Sequence, residues 1–310
     1  RRCSPAGGGI HIDVPGGSTI AEETHLTPDE ADRLRNRRRS EVLLFGILEN
    51  VLPRINRIRY KGEEQPFSGG NIAAGIAALR DVLYDGLVRT NEKVYDLLML
   101  GKELQQSVLG DTKSFNLQYI DWEHPARNMF HVAEEFAVER VNSRECYTPD
   151  LVLFVNGIPL AVIECKRAVL GGQTEPVDQA ISQHLRNQKD DGIPMLFAYS
   201  QLLLGVAPAA NQAKYATTGT AAKFWAAWKE EQGKDQDDET IAEHINTPLS
   251  EQQKDKVFES RAPYVREEYE RYGTAERQVT DQDRLLYALC RPERLLDITR
   301  RYVVFDAGEK

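Results

Sequence analysis

The sequence predicts an α/β protein, a mixed β-sheet flanked by helices. Three observations carry that expectation. Two apolar, β-branched runs, Asp150–Val155 and Pro159–Cys165, are joined by Asn156-Gly157, a pair that tolerates the positive φ angles of a tight hairpin. An amphipathic stretch from Pro176 to about Lys189 follows and has helical spacing. A further apolar run, Ile193–Tyr199, reads as another strand. Hairpin, helix and strand in that order build a sheet with helices packed on it.

Along the chain, residues 1–24 are glycine-rich without a clear period and read as loop or weak strand. Thr27-Pro28-Asp29-Glu30 has the form of a helix start, with Thr27 as N-cap and Glu30 completing a capping box. A basic run follows at Arg33, Arg35, Arg37, Arg38 and Arg39, then an apolar helix over Val42–Leu52. Helical periodicity returns at Ile72–Leu83 and Val94–Leu100, and strands are expected at Phe115–Ile120 and Met129–Val138. Gly171-Gly172 reads as a break before the Pro176 helix. From about Lys214 onwards the pattern is mostly helical, taking in Trp225 and Trp228, Tyr264–Arg271 and Gln282–Leu289.

Composition narrows the class. The chain has 310 residues, 41% hydrophobic and 28% charged, a soluble balance with enough length for a large buried core. No apolar run approaches the roughly 18 residues of a membrane span, and no positively charged start followed by an apolar segment reads as a signal sequence. The four cysteines, Cys3, Cys146, Cys165 and Cys290, form no CxxC pair and the six histidines are dispersed. That argues against a zinc ribbon or a disulfide framework and suits a reducing cytoplasm. Gly101-Lys102 lacks the remainder of a P-loop. The net charge of −9 runs against a nucleic-acid enzyme, yet such an enzyme needs only a local basic groove.

The chemistry concentrates in residues 149–166. Side chains alternate along a strand, so Leu160, Val162, Glu164 and Lys166 share one face. Asp150 begins the first hairpin strand, and a tight hairpin brings the start of one strand beside the end of the other. Asp150, Glu164 and Lys166 therefore converge. Two carboxylates suit Mg²⁺ (or Mn²⁺ in its place), a hard ion that prefers oxygen ligands and retains waters. A neighbouring lysine suits phosphodiester hydrolysis, where it orients water or stabilises developing charge. An isolated aspartate or Glu-x-Lys pair would more simply solvate a strand end; the combination of Pro-Asp, hairpin and Glu-x-Lys is more specific.

Pro149-Asp150 followed by Glu164-x-Lys166 is the signature of the PD-(D/E)xK nuclease superfamily. The text "YTPDLVLFVNGIPLAVIECKR" resembles the N-terminal nuclease region of type I restriction enzyme R (HsdR) subunits. "RRRSEVLLFGILENVLPRIN" and "NMFHVAEEFAVER" upstream and "IPMLFAYSQ" downstream follow that family's order. The resemblance covers roughly residues 30–230 and is most specific in 128–200. It implies a restriction-endonuclease-like core and Mg²⁺-dependent cleavage of double-stranded DNA, with Asp150 and Glu164 as metal ligands and Lys166 as the catalytic cation. It also implies a Q-x-x-x-Y motif in the next helix. Gln183 fits the first position, and Asn187 stands where tyrosine is expected, which leaves the tyrosine's role unassigned. Val177, Ile181 and Leu185 form that helix's apolar stripe, and Gln179, Gln183 and Asn187 a polar one. Arg186 and Lys189 are candidate phosphate contacts.

The same resemblance implies partners: modification and specificity subunits, and an ATP-driven motor beyond this chain, through which alone ATP would enter. It divides the chain into a nuclease domain, 1–240, and a helical connection towards the motor, 241–310. The nuclease domain would have a helical part over about 25–103 and a catalytic core over about 104–200. The alternatives are a DNA-binding or assembly module of the same fold with little cleavage, and a PD-(D/E)xK nuclease of another DNA-processing system. Two readings stay open for the Arg33–Arg39 run, a DNA-backbone patch or the solvated first turns of a helix. Trp225 and Trp228 are read as core rather than base-stacking residues, and Cys165 as a buried packing thiol.

Overall fold

The computed structural model describes residues 25–167, 175–229, 235–259, 261–273 and 275–305. The expectations for residues 1–24 and for Gly171-Gly172 lie outside them. In chain order the strands are β1 (His25–Leu26), β2 (Arg57–Tyr60), β3 (Glu63–Pro66), β4 (Lys102–Val108), β5 (Asp111–Leu117), β6 (Phe130–Glu134), β7 (Val138–Glu139), β8 (Cys146–Tyr147), β9 (Leu151–Val155), β10 (Ile158–Cys165), β11 (Leu202–Ala207) and β12 (Gln212–Ala216). The helices are α1 (Pro28–Leu34), α2 (Phe45–Ile55), α3 (Gly69–Arg80), α4 (Leu87–Leu100), α5 (Pro176–Asn187), α6 (Pro194–Tyr199), α7 (Asp235–Asn246), α8 (Glu251–Phe258), α9 (Pro263–Tyr272), α10 (Asp281–Cys290) and α11 (Pro292–Tyr302).

Six strands make the main sheet in the order β1-β6-β9-β10-β11-β12. β10 pairs antiparallel with β9 and parallel with β11, so the sheet is mixed. The parallel β10–β11 pair requires a crossover, and α5 and α6 supply it. Central strands covered on both faces read as continuous apolar runs. β10 accordingly buries every residue from Ile158 to Glu164.

The hairpin between β9 and β10 turns where expected. Asn156 and Gly157 have φ of 53° and 83°. The turn is buried, which adds side-chain work to the asparagine. Asn156 Oδ1 accepts from the Met129 amide at 2.8 Å, and its Nδ2 donates to Tyr119 O at 2.9 Å. A Cβ on Gly157 would meet Leu44 O at 2.6 Å, so α2's N-terminus closes on this turn because position 157 is glycine. The Thr27–Glu30 capping box forms at α1.

Several expectations are corrected. Ile193–Tyr199 is not a strand but the helix α6. Pro194 occupies its first turn, where a fixed φ and a missing N–H favour helix, and the strand is the next apolar run, Leu202–Ala207. A short apolar run carries no periodicity that separates the two. Helix does not begin at Lys214, because Gln212–Ala216 is the edge strand beside β11. Trp225 and Trp228 lie outside any α-helix, held near the edge strand by the Tyr215–Ala226 bridge. Trp225 is buried in the core and Trp228 packs half-buried against it. Phe115–Ile120 does not join the main sheet; among the described residues β5 pairs with β4 in a separate ribbon. The expected Met129–Val138 strand is interrupted at Glu135, which takes a φ of 47°.

The basic run lies at the end of α1 and in the turn after it, not in a helix start. Arg35 is buried, and its guanidinium donates to Asp32, to Glu41 O and to Ala137 O while sitting 4.3 Å from the Phe136 ring centroid. At Arg35 the run is therefore a packing device.

Candidate nuclease site

The site is assembled by register. Ile163 pairs with Leu151 across the hairpin, so the next positions outward are Glu164 and Asp150. The Cys165 amide donates to Asp150 Oδ2 at 2.7 Å, which pins that carboxylate to the edge of β10. Lys166 continues the strand line, its amide bonded to Val206 O at 2.8 Å. Its Nζ reaches back to lie 3.5 Å from Glu164 Oε2 and 3.8 Å from Asp150 Oδ2. The three charged residues singled out in the sequence thus meet at one ammonium group.

Their environments differ. Asp150 and Lys166 keep 23% and 21% side-chain exposure, whereas Glu164 keeps none. Burial, then the neighbouring Asp150 carboxylate, push the Glu164 carboxyl up to about 8, against the opposing pull of Lys166 and Gln183. Two acids against one cation leave an excess of negative charge in a low-dielectric place. The donors are carboxylate oxygens, and among the described residues no group of three or more His, Cys, Asp or Glu side chains is placed to hold a metal. This donor set suits a hard cation that keeps waters, and does not suit a closed zinc cage.

Helix α5 supplies the far wall. Gln183 donates its amide to Glu164 Oε2, and Asn187, fully buried one turn later, places Nδ2 3.5 Å from Glu164 Oε1. Two residues of the polar stripe read from the sequence, Gln183 and Asn187, are therefore turned towards the carboxylate. Between these two residues lies His184, which the sequence reading passed over. It is completely buried, bonds through Nε2 to Leu204 O at 2.9 Å, and lies 5.2 Å from the Trp225 ring. Burial pushes its pKa down to about 4. A neutral imidazole thereby fastens α5 to β11 without adding positive charge.

Of the remaining candidates, Arg186 and Lys189 are exposed, and Arg186 bonds to Asn187 Oδ1. Cys165 is half-buried against the core and contributes its backbone amide to Asp150. A cavity of about 480 Å³ beside the β7–β8 turn is lined by Arg140, Arg144 and Ile193 among others, and by none of the site residues.

The family model for the N terminus of type I restriction enzyme R protein matches residues 19–233. The chain belongs to this family. Its match ends two residues before α7 begins. Among curated relatives, a putative type I restriction enzyme MjaIXP endonuclease subunit of Methanocaldococcus jannaschii is 34% identical over 111 residues, which is 36% of this chain and 10% of that protein. The HindI endonuclease subunit of Haemophilus influenzae is 31% identical over 118 residues, 38% of this chain and 11% of that protein. The matched stretches are thus about a tenth of the relatives' length. The mixed sheet flanked by helices is the architecture expected from the sequence.

Proposed function

We propose that this chain carries the DNA-cleaving site of a type I restriction enzyme R subunit, hydrolysing phosphodiester bonds of double-stranded DNA with Mg²⁺. One observation carries the reading: Asp150 and Glu164 converge on Lys166 Nζ, at 3.8 and 3.5 Å, at the open end of an otherwise apolar hairpin. Asp150 and Glu164 would hold the ion, with Mn²⁺ as a substitute. When bound it supplies charge that polarises the scissile phosphate and acidifies a water.

The chain's own residues do the rest. Asp150, fixed by the Cys165 amide, presents its carboxylate at the partly open rim. Glu164 is held rigid by Gln183 and Asn187, so its geometry is set before substrate arrives. Lys166 is a partly exposed cation lying against both acids. It is placed to donate to a phosphate oxygen as negative charge builds, or to orient the attacking water. Lys189, exposed beyond the end of α5, is proposed as a phosphate contact.

In the assembled enzyme, modification and specificity subunits and an ATP-driven motor would complete the machine in a bacterial or archaeal cytoplasm, with residues from about 241 leading towards the motor. No described helix is long and apolar enough to cross a membrane. The test is Mg²⁺-dependent plasmid cleavage by the reconstituted enzyme carrying Asp150→Ala or Lys166→Ala. Loss of cutting in both supports the reading, and retained cutting in both refutes it.

A further inference from the structure

Asn187 lies between two groups of opposite hydrogen-bonding character. A carboxylate ionised to hold a cation only accepts, and a guanidinium only donates. Arg186 donates to Asn187 Oδ1 through Nη2 at 3.1 Å and Nε at 3.3 Å. On its other side Asn187 turns Nδ2 to Glu164 Oε1 at 3.5 Å. A side-chain amide joins such a pair because its acceptor and its donor diverge from one carbon. With the oxygen engaged by Arg186, the nitrogen has to face Glu164. Rotated, the amide would set oxygen lone pairs against the carboxylate.

Arg186 has its own support. Its Cζ lies 4.6 Å from the centroid of the Tyr147 ring, and that of Arg140 lies 4.8 Å from the same ring. Arg140 is held in turn by Glu145 and Asp191. Tyr147 stands three residues before Asp150, so the segment that delivers Asp150 also provides the platform for Arg186. A cation over an aromatic face gains attraction and loses freedom. The path therefore runs from the β8 end through Tyr147, Arg186 and Asn187 to the buried carboxylate.

We propose that Arg186, seated on Tyr147, is a positioning residue of the nuclease site: it fixes the Asn187 amide so that its N–H faces Glu164 and orients that carboxylate for a divalent cation. The proposal rests on the reading that Asp150 and Glu164 hold the cation, and it takes Arg186 out of the role of direct phosphate contact. It also gives Asn187 a function at the place where the family motif has tyrosine.

The test uses the whole chain and Mn²⁺ alone, followed by electron paramagnetic resonance. Arg186→Met and Tyr147→Leu are expected to weaken Mn²⁺ binding on the order of tenfold, the usual effect of losing a group that orients a metal ligand. Tyr147→Phe keeps the ring and retains wild-type affinity. In an Asn187→Leu background, Arg186→Met adds nothing. The side-chain amide resonances of Asn187, identified by their loss in Asn187→Leu, shift in metal-free Arg186→Met and stay in place in Tyr147→Phe. In parallel, binding to duplex DNA without metal keeps its salt dependence in Arg186→Met, whereas a lost phosphate contact would lower the slope by about one.

Wild-type Mn²⁺ affinity in Arg186→Met, beside a lost site in Asp150→Ala, overturns this proposal alone. A lowered salt slope with unchanged Mn²⁺ affinity reassigns Arg186 to phosphate. Equal binding by wild type and Asp150→Ala removes the metal reading itself, and the proposal with it.

Discussion

Gln183 donates its side-chain amide to Oε2 of Glu164, tying a helix of the crossover to the end of a central strand. The bond is directional, and its acceptor is completely buried. Replacing Gln183 with Leu removes this donor and loosens the carboxylate's orientation. Mn²⁺ affinity should fall about tenfold or more. Gln183→Glu should be worse, because it sets a third carboxylate against the first two. Mn²⁺ titration of the purified chain checks both, and wild-type affinity in either variant would contradict the assignment.

The raised Glu164 pKa has two consequences for pH. A metal ligand must be ionised, so Mn²⁺ affinity should climb with pH and level off above about 8. Without metal, the folded state holds this proton up to about 8, while the unfolded chain releases it near 4.5. Glu164's contribution to stability is therefore fully present below about 4.5 and is lost as pH rises through 8. Glu164→Gln removes the loss. In EDTA, its melting temperature should exceed that of wild type at pH 9 by an amount equivalent to a few kcal/mol, and the two should approach each other at pH 5. A lower melting temperature for the variant at pH 9 would show that Glu164 ionises without penalty.

Within the Arg33–Arg39 run, the buried member should behave differently from the exposed ones. Arg35→Ala takes the donor from Asp32 Oδ1 and from two carbonyls, leaving Asp32 only Arg39 at its other oxygen, at a cost of about 3 kcal/mol. Arg37→Ala and Arg38→Ala should stay within about 0.5 kcal/mol of wild type. Denaturant unfolding measures all three, and an Arg35→Ala variant as stable as wild type would sink the packing role.

Gly157→Ala tests the buried hairpin turn. The substitution combines a φ of 83° with a Cβ placed 2.6 Å from Leu44 O. Both act against an L side chain. A loss of at least about 2 kcal/mol is expected in denaturant unfolding, and a neutral result would mean that α2 can back away from the hairpin.

These expectations indicate which parts of the fold were legible in advance. The hairpin was readable because Asn156-Gly157 fixes the turn locally, and with it the rough meeting of Asp150, Glu164 and Lys166. That Glu164 falls opposite Asp150 depends on a register shift between Pro159 and Ala161, which a turn signal does not carry. Gln183 was readable as one of a polar stripe, since helical spacing is also local. The misreadings fall where tertiary context decides. Pro194 signals a helix start, yet an apolar run of that length fits strand equally well. The burial of Arg35 depends on Ala137 O, far along the chain, and the part played by Asn187 depends on Arg186 and on how α5 is rotated against β10. His184 became visible only once β11 offered Leu204 O and Trp225 covered the ring.

The central claim is that Lys166, with Asp150 and Glu164, forms the centre that cuts DNA. The most direct measurement compares Mg²⁺-dependent plasmid cleavage with DNA-dependent ATP hydrolysis in one reconstituted enzyme carrying Lys166→Ala. The account predicts cleavage reduced at least about a hundredfold, as for loss of a transition-state donor, with ATP hydrolysis near the wild-type rate. Cleavage at the wild-type rate in that enzyme would contradict it.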